Sequence, residues 1–166
     1  MASAPPRARL FDRILPDPLL AFLSLVMLMF MAAAVVRGAP RWHEASAFVW
    51  AHLVALALVL ALTPVQLLGR KGSGRHRAAG WAWALAMMVA AAVSFGIRDI
   101  RDGGLGPIHI LSAWVMVQVP WLVLNARRHQ VEQHRVRVRI LVTFALLVAG
   151  FFTFPFGRML GSWLLG

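Results

Sequence analysis

The chain contains no cysteine and no tyrosine, and only six of its 166 residues are acidic. Without cysteine there is no disulfide, no thiolate metal site and no iron–sulfur cluster. Without tyrosine there is no tyrosyl radical or phenol catalysis. No Walker loop, Ser-His-Asp set or HExxH stretch is present, which argues against a hydrolase. Charge is almost missing from the long apolar runs.

What remains is strongly apolar: 60% of the residues are hydrophobic and the mean hydropathy is +0.73. A soluble domain is closer to half apolar. The excess lies in runs long enough to cross a bilayer, so the lipid bilayer is the first expected partner. The 17 Lys+Arg and the formal charge of +11 sit in short turns between those runs. Basic turns follow the positive-inside rule and do not point to nucleic acid.

The expected organisation is all-α, with five transmembrane helices. Residues 1–18 form a basic, proline-containing cytoplasmic tail, and 19–36 the first span. Ala32-Ala33-Ala34 resembles a signal-peptide cleavage site, but the run is long enough to span and is expected to stay uncleaved. Residues 45–97 and 107–156 form two helical hairpins. Their helices are expected at about 45–68, 78–97, 107–124 and 140–156. Residues 157–166 are too short to span and are expected at the surface. With the N-terminus inside, twelve of the 17 Lys+Arg fall on inner segments. The inner turns are Gly69–Arg77 and Asn125–Arg139, the second expected to be helical in part, and they set the expected orientation.

The two hairpins repeat one plan. His52 to Arg77 and His109 to Arg135 each open on a histidine and carry a proline about three turns on, Pro64 and Pro120. Each has a basic pair, Arg70-Lys71 and Arg127-Arg128, and closes on His-Arg, His76-Arg77 and His134-Arg135. Internal similarity dictates architecture, and parallel repeats pack about an axis along the membrane normal. That symmetry sets His52 opposite His109 near one surface and His76 opposite His134 near the other. From His52 to the end of its helix is roughly 24 Å at the helical rise.

Two facing imidazoles from different helices are the axial set of a b-type haem. Arg77 and Arg135, with Lys71, can pair with its propionates. The expected cofactor is therefore haem b. The expected function is transmembrane electron transfer, with a donor or acceptor protein or a quinol as partner and a homo-oligomer compatible with either. A competing view needs no redox chemistry. His76 and His134 lie in basic turns and serve equally well as interfacial charge. His52 can simply bond a neighbouring helix, for instance through Gln118 or Ser112. The protein is then a structural or assembly partner, or a small-solute carrier.

The histidine layout resembles the four-helix, two-haem transmembrane cytochromes b of the ascorbate and ferric-reductase type. That resemblance implies one haem between the first and third core helices and another between the second and fourth. Four stretches carry a second resemblance: TPVQLLGRKGSGRHRAAGWAW (Thr63–Trp83), GPIHILSAW (Gly106–Trp114), ARRHQVEQHR (Ala126–Arg135) and AGFFTFPFGRMLG (Ala149–Gly161). They resemble the bacterial membrane family known as domain of unknown function 2306, over about Trp50 to Gly161. The chain departs from that pattern at Val138–Val142, where an aromatic residue is expected after the last His-Arg. The resemblance implies a small multipass protein of a bacterial inner membrane and no particular reaction.

A metal ion is the other expectation: His52 and His109 with Asp99 or Asp102 from the intervening loop make a two-histidine, one-carboxylate set. Arg98 and Arg101 alternate with those aspartates, so local pairing accounts for them as well. The matched prolines also suit a carrier with a midplane site. His43 and His129 have no equivalent partners and read as exposed. The methionines read as adaptable packing.

Overall fold

The structure is a computed structural model that describes residues 15–97, 106–155 and 157–166. The described residues are helical, with no strand. Helix α1 is Asp17–Arg37, followed by a 3-10 turn, Ala39–Glu44. Helices α2 (Ala47–Leu68) and α3 (Gly74–Ser94) form one antiparallel hairpin. Helix α4 is Pro107–Arg127. Helix α5 begins as Val131–Ile140, continues through π-helical turns at Leu141–Val148 and ends as Ala149–Phe151. A short helix, α6, is Met159–Leu165.

The helix ends follow local chemistry. Ser46 and Ser73 cap α2 and α3, accepting the backbone N–H groups of Val49 and His76 at 3.4 and 3.2 Å. The Ser73 cap starts α3 four residues before the expected Ala78, so His76 and Arg77 belong to its first turn. Of the two glycines in that turn, Gly72 takes the left-handed conformation, φ 74°, while Gly74 is already helical. Lys71 donates to the carbonyls of Gln66 and Leu67 and so caps the end of α2. The second basic turn is shorter than expected: α4 reaches Arg127 and α5 starts at Val131. His129, at φ 56°, makes the bend. His134, Arg135, Arg137 and Arg139 are therefore helical.

Helices α1, α2, α3 and α4 are long and apolar enough to cross a membrane. Large apolar side chains such as Phe22, Val54, Trp81, Leu85 and Ile110 point outward. An outer surface of this kind suits lipid, and the chain is a multipass membrane protein. Several hydroxyls within the spans are satisfied internally, as a dry surround favours. Ser24, Thr63 and Ser112 donate to the carbonyls of Leu20, Val59 and Ile108, one turn back.

Packing runs α1 on α2, α2 on α3, α3 on α4 and α4 on α5; the π-helical part of α5 returns to α1 and α2. The ring closes, which places α2 diagonal to α4 and α3 diagonal to α5. One end of the bundle gathers the start of α1, the α2–α3 turn and the α4–α5 turn, and with them most of the basic residues. It is called the basic end below. At the opposite end lies the short helix α6. It packs on α1, and Leu160, Gly161 and Trp163 are buried. Trp163 stacks against Trp50 and lies on Gly38, where a Cβ would fall 2.4 Å from its ring.

Candidate functional site: two histidine regions in the bundle

At the basic end, His76 on α3 and His134 on α5 come from diagonal helices. Both stand at the basic end of the bundle, in the first turns of their helices. The imidazole of His134 is fixed by a hydrogen bond from Nδ1–H to the Leu122 carbonyl on α4, 3.1 Å. That bond leaves Nε2 with the free lone pair. Nδ1 of His76 is buried and has no hydrogen-bond partner. Asn125, 1% exposed, sits one turn from Leu122 on α4, and its Nδ2 is likewise buried without a partner. A buried donor or acceptor left unpaired costs about 1–3 kcal/mol, so two at one level are unusual.

The surroundings are basic. Lys71 lies beside His76 and Arg135. Burial pushes the Lys71 ammonium below the ordinary lysine range; Asp17 pulls it back up, and Arg135 adds to the lowering. Arg77 donates to the Gly72 carbonyl at 2.9 Å and is exposed. Deeper along α5, Arg139 is 2% exposed; its Nε lies 3.4 Å from Asp17 and it also donates to the Leu15 carbonyl. Arg137 lies over the Trp121 ring at 4.0 Å and donates to Gln118.

At the opposite half, a cavity of about 110 Å³ lies between the helices and opens on one side. Its walls are almost wholly apolar. His52 lines it, with Nδ1–H donating to the Ala90 carbonyl on α3 at 2.8 Å. Nε2 of His52 therefore carries the lone pair and makes no hydrogen bond. His109 is 3% exposed and does not line the cavity. Its Nδ1 accepts the Gly106 backbone N–H at 2.9 Å and its ring packs on Phe95, 5.8 Å between centroids. The same nitrogen lies 3.3 Å from the Gly106 carbonyl oxygen, and Nε2 is buried without a partner. The His52 tautomer is assigned from its bond to Ala90.

The four expected histidines thus fall in two regions. His76 and His134 share the basic end, on diagonal helices. His52 and His109 stand at the same end, one turned to the cavity and the other to the α3–α4 junction. Asp99 and Asp102 lie outside the described residues. Among the described residues, no three His, Cys, Asp or Glu side chains gather as a metal-ion set. Sequence reasoning missed Asn125 and the Asp17–Arg139 pair. Asp17 is one of two acids before the first apolar run, and Arg139 looked like one more residue of a basic turn.

The chain matches no protein-family model, no curated protein and no solved structure. The functional reading therefore rests on these residues and their surroundings.

Proposed function

We propose that the chain is an inner-membrane electron-transfer protein that would hold a b-type haem at its basic end, with His76 on α3 and His134 on α5 as the residues that would bind it. In this reading α5 is a fifth span, and the N-terminus and both basic turns face the cytoplasm. The observation that carries it is the state of His134. Its Nδ1–H is tied to a backbone carbonyl, the outer bond that usually orients a metal-binding imidazole and leaves Nε2 free. The unpaired Nδ1 of His76 and the unpaired amide of Asn125 support a missing polar partner at that level. Lys71 and Arg135 supply positive charge where propionates would lie.

When bound, such a haem supplies a one-electron carrier. The chain's own part is to set the imidazoles, exclude water with the apolar faces of α3, α4 and α5, and balance anionic groups with the basic turns. The pair His52 and His109 is not assigned a second haem. Nδ1 of His109 is engaged by the Gly106 backbone, and the ring does not face the cavity that His52 lines.

The test is substitution at the proposed ligands. His134→Ala and His76→Ala should each abolish the haem absorbance of protein purified in detergent, while His43→Ala leaves it unchanged. Retention of the wild-type spectrum in His134→Ala would refute the ligand assignment. A second reading, binding of a small apolar molecule without redox chemistry, is favoured by the His52 cavity.

A further inference from the structure

We infer that the cavity beside His52 is a binding site for a small, bilayer-soluble phenol, whose ring fills the apolar space and whose hydroxyl donates to His52 Nε2. The size comes first. An engineered protein cavity of about 150 Å³ holds benzene. The present cavity, about 110 Å³ and open on one side, takes one ring with its substituent directed out through the mouth.

The walls specify what kind of ring. Met27 and Met31 from α1 and Met87 from α3 all line the space. Thioethers make favourable contacts with aromatic rings, at about 5 Å from the ring. Ala91, Ala145 and Gly150 line the cavity with no bulk of their own.

The polar chemistry is narrow. Ser112 donates to Ile108 and accepts from Ser94 at 2.6 Å, and Thr153 donates to Gly150 at 2.6 Å. His52 is different: Nδ1–H is used on Ala90, and Nε2 remains as an acceptor with no partner. An unpaired imidazole nitrogen is a stronger acceptor than the hydroxyl oxygens of Thr153 and Ser112, and in an apolar, ring-sized space it favours a ligand with one donor. A phenolic hydroxyl meets that requirement. A hydrocarbon leaves the acceptor unpaired, and a charged molecule is penalised by the apolar walls. This inference makes no use of the haem reading. That reading concerns His76 and His134 at the other end, so either can fail alone.

The probes are 4-ethylphenol and ethylbenzene, titrated into the full chain in detergent, with concentrations referred to the detergent phase. Selective 15N-histidine labelling reads the His52 ring directly. The phenol should shift the His52 Nε2 resonance and bind about tenfold more tightly than ethylbenzene, the factor expected for one hydrogen bond. His52→Leu should erase that preference and leave ethylbenzene binding in place. Ala145→Leu, which fills the space but keeps His52, should weaken both probes. Equal binding of the two probes to the unaltered protein would overturn the inference, as would an unmoved His52 signal or full binding by Ala145→Leu. The comparison on the unaltered protein stands even if a variant does not fold.

Discussion

The carboxylate of Asp17 in the first turn of α1 lies 3.4 Å from Nε of Arg139 on α5, a residue 122 positions further along the chain and 2% exposed. Lys71 completes the group, 4.0 Å from the other carboxylate oxygen. A buried pair adds little net stability over an apolar replacement, but removing one partner leaves an uncompensated charge. Asp17→Asn should therefore destabilise the protein by about 3 kcal/mol. Pairing it with Arg139→Met should restore most of the loss. Unfolding of the two single variants and the double variant in detergent measures the coupling; strict additivity would show that the pair is not a pair in solution.

Trp83 and Thr63 join α3 to α2 inside the core. The Trp83 indole N–H donates to the Thr63 hydroxyl at 3.0 Å, and that hydroxyl donates to Val59 at 2.7 Å. Thr63→Val keeps the shape but strands a buried indole N–H. The expected cost is about 1–3 kcal/mol, read from thermal unfolding.

Gly161 holds α6 against the bundle. A Cβ there would fall 1.7 Å from the Phe154 carbonyl oxygen, so backbone must move to admit it. Gly161→Ala should cost at least about 1–3 kcal/mol, the range for overpacking, and expose Trp163 to a fluorescence quencher. Gly74→Ala is the control: its Cβ meets open space in the first turn of α3, and the change should be neutral or slightly stabilising.

Lys71 gives a pH dependence whose sign is fixed by its surroundings. Burial, the largest influence, holds its ammonium below the usual lysine value of 10.5. The unfolded chain then keeps the proton to higher pH than the folded one, so stability rises with pH in the window just below that value. Lys71→Met should lack this increment. Unfolding at about pH 8 and about pH 10 compares the two proteins.

Much of the architecture is legible in the residues. Apolar run length alone finds α1 to α4, and the serines and glycines of the turns mark the hairpin ends. Other features depend on tertiary contact. The arginines at 135, 137 and 139 read as a turn because they are charged. Their helix is supported from other elements, by Trp121 and Gln118 at Arg137 and by Asp17 at Arg139. Residues 157–166 read as too short to span, and where they pack depends on Gly38, which leaves the space into which Trp163 fits. The histidines were found by their spacing. Which nitrogen each presents depended on backbone groups far away in sequence: Ala90 for His52 and Leu122 for His134.

The most direct measurement is the reduced-minus-oxidised visible spectrum of the full chain, purified in mild detergent from haem-sufficient cells. The account predicts a Soret band and a sharp alpha band from a bis-histidine b-type centre, present in the unaltered protein and absent from His134→Ala. A spectrum without either band, from folded protein, would contradict it.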